Sequence, residues 1–454
     1  MATLTSQNPY TGEINKTFET VSNEQLTALI GQAHQTYLSW KNTPVAEKKK
    51  LFLRMADLID ERNADYALLE TREMGSLWSF SKNVLKGTAN LIRRNANNFE
   101  SVLANESFDA EWLKWHIQYD PIGVIYGIAP WNFPFNQLLR AAVPNILAGN
   151  TQLYKHASNV PMCLEAIHQL FVDAGFPIGV FTALYMSASQ SEQIISHPAV
   201  QWVNITGSED AWSSIGALAG KHLKRSVLEL GGNDAFVVLD HTDTDAIVAQ
   251  AAACRLSNGG QRCNSSKRFI VLDKHYDIFV EKFGAYMASQ KVWDPMDPAT
   301  QVPPMSSKKL VQDIDKQVQE SIAQWARLVT WGTIVDAERN LYAPTLLADM
   351  KPDMTSWREE VFGPVASIIK ASSVEESIAL ANASDFGLSA AVYGEDVEQC
   401  KQVAMQLDGG MIFINQAPGS KASLPFGGVR KSGYGKENGP DGLKAFTNRK
   451  VILY

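Results

Sequence analysis

An α/β protein built on parallel sheets is the fold class that the sequence predicts, and three observations carry it. Short apolar, β-rich runs at 123–128, 151–154, 200–205, 226–230 and 235–239 alternate with helical segments such as 162–174. Strands that are apolar throughout and separated by helices belong to parallel sheets covered on both faces. The alternation resumes after about residue 240, with strands at 269–272, 366–369 and 411–414 and helices at 245–257 and 374–383. That pattern makes two α/β units in series. Finally, a chain of 454 residues exceeds one domain of ~150 residues, and its 45% hydrophobic share supplies a large core.

The elements follow in chain order. Ser22-Asn23-Glu24-Gln25 reads as a capping box ahead of an apolar-periodic helix that reaches Trp40. Pro44 opens a charged helix whose buried stripe is Leu51, Met55, Leu58 and Ile59. Pro161 and Gly175 bracket the 162–174 helix, the usual entry and exit residues. The Gly231-Gly232 break places the boundary between the two units near 231–240. The last residues, 450–454, form a short apolar strand able to pair with another segment or another chain.

Composition narrows the function. A formal net charge of -7 offers no attraction to nucleic acid or to an anionic membrane. Four cysteines cannot build a disulfide framework and suit a reducing compartment. The polar N-terminus reads as no signal peptide, and the most apolar stretch, 122–135, is too short for a bilayer. The expectation is a soluble, cytoplasmic protein acting on a small molecule, without nucleic-acid or membrane partners.

Generic signatures fail. Gly216-Ala-Leu-Ala-Gly220-Lys221-His222 is one residue short of a phosphate loop and lacks its Ser/Thr. Gly433-Tyr434-Gly435-Lys436-Glu437-Asn438 misses the third glycine of a dinucleotide fingerprint and does not follow a strand. Asp240, Asp243 and Asp245 lack an EF-hand spacing, and no His-x-x-x-His, Cys-x-x-Cys or Gly-x-Ser-x-Gly occurs, so no metal is expected.

Three less generic segments bear chemistry. In Gly259-Gly260-Gln261-Arg262-Cys263, a cysteine follows a glycine turn with Arg262, Lys267 and Arg268 nearby. Such a setting is expected to favour the thiolate, whereas Cys163, Cys254 and Cys400 sit in apolar helical contexts typical of core cysteines. Glu229 ends an apolar strand before Gly231-Gly232, where desolvation would raise its pKa toward the range of a base. Asn132, held between Pro130 and Pro134, is a rigid amide donor suited to an oxyanion. Taken singly, each has a structural alternative: a buried thiol, an edge glutamate, a turn cap.

Together, Pro-Trp-Asn-Phe-Pro around Asn132, Leu-Glu-Leu-Gly-Gly around Glu229 and Gly-Gln-Arg-Cys ending at Cys263 resemble the NAD(P)-dependent aldehyde dehydrogenase superfamily. Lys155 after a strand, Thr206-Gly207-Ser208, Glu359-Glu360-Val361-Phe362-Gly363-Pro364 and Pro425-Phe426-Gly427-Gly428 match in the same order, from about residue 8 to the end. The resemblance implies a modified Rossmann cofactor domain (1–102 and 122–231), an α/β catalytic domain (232–430) and an oligomerisation β-flap (103–121 and 431–454). It implies NADP or NAD held by Trp131, Lys155, Ser158, Gly207, Ser208, Leu230, Glu360 and Phe362. Ser158 stands where NAD-selective relatives often carry an acid, which favours NADP. Cys263 would be the nucleophile, Asn132 the oxyanion donor and Glu229 the base for thioester hydrolysis.

Arg140 and Ser420 match positions that hold the remote carboxylate in succinate-semialdehyde dehydrogenases, with Arg262 as a further donor. The chain departs from the family at Ser257, where an arginine often precedes the nucleophile by six residues, and at Trp212, where many relatives have glycine. Oxidation of succinate semialdehyde is thus the expected activity. Its alternatives are oxidation of other aliphatic or amino aldehydes, or cysteine-dependent hydrolysis without redox turnover.

Overall fold

Two parallel-centred sheets and one antiparallel ribbon organise the chain in the computed structural model, which describes residues 3–110, 112–207 and 209–454. The first sheet has six strands, in the order Gly433–Tyr434, Arg225–Glu229, Val200–Thr206, Val124–Ala129, Thr151–His156 and Phe181–Ala183. All its pairings are parallel except that of the first strand with Arg225–Glu229. The second has seven, in the order Arg327–Thr330, Thr345–Ala348, Val365–Ala371, Ser266–Leu272, Asp234–Val238, Ser389–Tyr393 and Met411–Ile414. Only Arg327–Thr330 runs antiparallel there. The α/β alternation read from the sequence is therefore the architecture.

Local signals act as expected. Ser22 and Gln25 form the capping box that opens the helix Asn23–Trp40. In the helix Val45–Glu61, Met55, Leu58 and Ile59 are buried as expected, but Phe52 takes the core position and Leu51 is half-buried. The C-terminal residues 447–453 pair within the chain, against Leu113–Pro121, whose other edge carries Glu106–Ala110. Of the 431–454 segment, Gly433–Tyr434 instead extends the first sheet.

One feature of the topology positions the site. The chain leaves the first sheet at Glu229 and enters the second at Asp234, crossing in four residues. Carboxyl ends of the first sheet (Ala129, His156, Thr206, Glu229) thereby face amino ends of the second (Asp234, Ser266, Ser389). In open α/β sheets, ligands bind outside the carboxyl ends of the strands. Among the described residues, no helix is long and apolar enough to cross a membrane.

Candidate active site

Cys263 precedes the strand Ser266–Leu272, after a turn whose three residues Asn258, Gly259 and Gly260 all have positive φ (54°, 63° and 75°). Asn and Gly are the residues that enter this region at least cost. Gly260 is required for a second reason: a Cβ there would overlap the backbone of Gly363. The turn is fastened from three sides. Gln261 is fully buried and accepts from Ser306 N at 2.9 Å, while its amide donates to Pro304 O at 3.3 Å. Asn132 Nδ2 donates to Gln261 O at 3.0 Å, and Asn258 Nδ2 returns a bond to Asn132 O at 3.0 Å. The loop from the first sheet and the loop before the second are stitched together by these two amides.

Arg255 supplies the third fastening. Fully buried, it donates to Ser265 Oγ (2.8 Å), Gly260 O (3.2 Å), Val361 O (3.1 Å) and Gly363 O, joining the cysteine turn to the loop that carries Glu360. Lys267, also buried, bonds Cys263 O at 2.6 Å and pairs with Glu360 at 2.9 Å. Neither Arg255 nor Lys267 is assigned this role by the sequence reading.

Two cavities meet at the thiol. One, of about 500 Å³, is lined by Trp131, Asn132, Lys155, Ser158, Gly207, Leu230, Glu360 and Phe362 among others. The other, of about 440 Å³, is lined by Phe133, Arg140, Arg262, Ser420 and Phe426 among others. Cys263 and Gln137 line both. In the first cavity Trp131 and Phe362 meet edge to face at 5.6 Å. Every cofactor-binding residue expected from the sequence lines that cavity except Ser208, which lies outside the described residues, as does the Trp212 side chain. Ser257 begins the short turn before Cys263 and lines neither cavity.

Glu229 differs from its neighbours: it lines neither cavity. Its carboxyl packs where a Cβ on Gly427 would sit, next to the Lys436 side chain, and neither oxygen has a hydrogen-bond partner among the described residues. Burial, reinforced by Glu437, pushes its pKa well above the usual range, against the pull of Arg140 and Lys436. The raised pKa expected for a desolvated carboxylate is what the structure gives.

The thiol is a correction. The cations near Cys263 in sequence do not hold it ionised: burial pushes it up to about 11, although Arg140 and Lys267 lower it. Arg268 alternates to the opposite face of the strand from Lys267, where it donates to Asn233, Leu380 and Ala381 carbonyls. Arg262 turns to Asn264 Oδ1 and Pro418 O.

Arg140 is almost wholly buried and pairs with Glu437, Nε to Oε2, at 2.6 Å. Ser420 Oγ accepts from Asn438 Nδ2 at 2.9 Å. Gln137, Phe426 and Glu437 are site residues that the sequence reading did not single out. Gln137 lies five positions after Asn132 on the helix Pro134–Leu147, and that spacing is the one local signal for it.

Comparison with known proteins gives the family. The Aldehyde dehydrogenase family model matches residues 2–452. The chain belongs to that family. It is 42% identical over 445 residues to the succinate-semialdehyde dehydrogenase [NADP(+)] of Deinococcus radiodurans, covering 98% of this chain and 93% of that one. To succinate-semialdehyde dehydrogenase [NADP(+)] 1 of Mycobacterium tuberculosis it is 39% identical over 448 residues, covering 98% of both. The crystal structure of the succinic semialdehyde dehydrogenase from Streptococcus pyogenes in complex with NADP+ superposes with a TM-score of 0.97 at 35% identity, covering 99% of both chains.

The position of the thiol pKa is open to direct measurement. Because the thiolate is the reactive form, the rate of Cys263 alkylation by iodoacetamide in the cofactor-free enzyme should still be climbing about tenfold per pH unit between about pH 8 and 9. A rate already level below about pH 8 would contradict the burial-dominated thiol.

Proposed function

We propose that this aldehyde dehydrogenase oxidises succinate semialdehyde to succinate with NADP, and that Cys263 acts from the point where the two cavities meet. The observation that carries the reading is the thiol shared between a cavity holding Lys155 and Ser158 and a cavity holding Arg140 and Ser420. Support for the substrate and cofactor also comes from the relatives, which are named for both.

The first cavity fits the dinucleotide. Lys155 is largely buried, and its one hydrogen bond among the described residues runs to His156 O at 3.2 Å, with no carboxylate opposite it. Burial lowers its pKa, as it does for any ammonium without a counter-charge. Beside the Ser158 hydroxyl, such a cation matches a 2′-phosphate, and among the described residues Glu360 is the one acidic residue lining the cavity. Glu360 and the Trp131–Phe362 pair would hold the nicotinamide half. Bound there, NADP would supply the hydride acceptor for oxidation of the aldehyde carbon held on Cys263.

The chain does the rest. Cys263 Sγ, once deprotonated, bonds to the aldehyde carbon, and charge develops on the carbonyl oxygen. Asn132 Nδ2 spends one hydrogen on Gln261 O and keeps the other for that oxyanion. The backbone N–H of Cys263 is the second donor. Glu229 then takes a proton from the water that attacks the thioester carbon, which releases succinate and returns the Cys263 thiol. To do so its side chain turns away from Gly427, where it is packed.

The first sheet with its helices would form the cofactor domain and the second the catalytic domain. Exposed Phe108, Trp112, Val451, Leu453 and Tyr454 on or beside the three-stranded ribbon support its reading as an oligomerisation surface. Four unpaired cysteines suit an enzyme of the cytoplasm.

Steady-state kinetics test the reading twice. The substrate arm compares succinate semialdehyde with butanal in Arg140→Leu: loss of a charge-assisted contact costs about 1.5–3 kcal/mol, so kcat/KM for the semialdehyde should fall about 10- to 150-fold further than that for butanal. An equal loss on both substrates would point to a purely structural arginine. The cofactor arm compares NADP with NAD in the parent and in Ser158→Glu. NADP should be preferred by the parent, and the carboxylate should reverse the order by repelling the 2′-phosphate. A parent that prefers NAD would remove the assignment of Lys155 and Ser158.

A further inference from the structure

The segment 433–438, which fails as a dinucleotide fingerprint, runs behind the other cavity. Its last two residues each hold one of the groups assigned above to the substrate carboxylate. Glu437 Oε2 accepts from Arg140 Nε at 2.6 Å, with the two side chains 1% and 3% exposed. Asn438 Nδ2 donates to Ser420 Oγ at 2.9 Å. Both residues are buried. From the geometry we infer that Glu437 and Asn438 are positioning residues for carboxylate recognition: Glu437 sets the Arg140 fork, and Asn438 sets the Ser420 hydroxyl. This rests on the reading of Arg140 and Ser420 given above.

The Arg140 guanidinium is constrained on two sides and free on a third. Glu437 takes its Nε edge, which is its one hydrogen bond among the described residues. The Phe426 ring lies 4.4 Å from Cζ and covers a face. Nη2 is buried without a partner among the described residues, and Arg140 lines the cavity of about 440 Å³, so the terminal end of the guanidinium, away from Nε, is what a carboxylate would meet. A guanidinium on a flexible stem needs such fixing to present two N–H groups in register with two oxygens. An arginine buried without a counter-charge would also be costly before substrate arrives.

Glu437 is itself fixed. Its N–H and C=O both pair with Phe426, at 2.8 and 2.7 Å. Asn204, from the first sheet, donates to its other oxygen at 3.5 Å. Asn438 follows with φ 56°, a conformation that asparagine tolerates and that turns its amide toward Ser420. Once Asn438 occupies the Ser420 oxygen as an acceptor, the hydroxyl hydrogen is left to donate. The same six-residue segment thus reaches both groups from outside the cavity.

The readout is the ratio of kcat/KM for succinate semialdehyde to that for butanal, measured with melting temperature on the purified enzyme. Glu437→Leu should cut the ratio about tenfold or more, through KM for the semialdehyde, since any change in Glu229 or Cys263 reactivity falls on both substrates and leaves the ratio unmoved. Glu437→Gln, which keeps an acceptor for Nε, should stay within about threefold of the parent. In an Arg140→Leu background, Glu437→Leu should shift the ratio by less than about twofold. Asn438→Gly keeps the positive φ, removes the amide and should lower the ratio about threefold, an effect absent in a Ser420→Ala background. Should Glu437→Leu fail to fold, the Asn438–Ser420 cycle decides.

Unchanged ratios, equal losses on both substrates, or effects that persist in the Arg140→Leu and Ser420→Ala backgrounds would overturn the inference. If Arg140→Leu alone leaves the ratio intact, the carboxylate reading itself fails. If it collapses the ratio while Glu437→Leu spares it, the positioning role alone fails.

Discussion

The site depends on one reciprocal contact: Asn132 donates its side-chain amide to Gln261 O, and Asn258 donates its own to Asn132 O, each at 3.0 Å. Asn132 belongs to the loop after a strand of the six-stranded sheet, and Gln261 and Asn258 to the turn before a strand of the seven-stranded one. Neither sheet alone could set the distance between an oxyanion donor and the thiol two residues past Gln261. Arg255 and Lys267 extend the seam to the loop bearing Glu360 through carbonyls and one ion pair. Because these partners are buried, breaking one leaves an unpaired polar group in the interior, a cost of about 1–3 kcal/mol. That penalty makes the geometry rigid, and preorganised donors are what stabilisation of a developing charge requires.

Burial also sets the protonation states. Cys263 and Glu229 are both pushed up in pKa by the same desolvation, although their proposed uses differ: one would lose a proton to attack, the other would take one from water. Arg140 stands in the electrostatics of both, lowering each. Burial opposes its charge, yet Glu437, Glu229 and Cys263 together hold its pKa above the usual value. One guanidinium thus links the nucleophile, the base and the proposed carboxylate site, and its partner Glu437 joins that network from a different end of the chain.

Much of this was legible in the sequence, and the limits have a physical form. Alternating apolar runs and helices revealed the parallel sheets, because a strand covered on both faces leaves a local signature. Asn132 and Glu229 stood out as candidates because each lies where a strand runs into a turn rich in Pro or Gly, and Cys263 because it follows a glycine turn. The Arg140–Glu437 pair spans 297 residues and has no local signature at all. The same holds for Arg255, whose targets at Val361 and Gly363 are more than a hundred residues away. The expected electropositive setting of Cys263 failed for the opposite reason. Sequence neighbours on a strand alternate faces, so Arg268 is directed away from the thiol. Residues 450–454 read as a strand from their own apolar run, but only the resemblance grouped 103–121 with the C-terminal segment, because the pairing of 447–453 with Leu113–Pro121 has no local signature.

The central claim is that Cys263 carries the acyl group between two half-reactions and that Glu229 serves only the second. Pre-steady-state mixing of Glu229→Gln with NADP and succinate semialdehyde, followed by acid quench and peptide mass spectrometry, tests it most directly. The account predicts a burst of NADPH no larger than the enzyme concentration, then a stall, with a succinyl thioester on the peptide containing Cys263. Continued turnover at the parental rate, or a burst with no acyl group on Cys263, would contradict it.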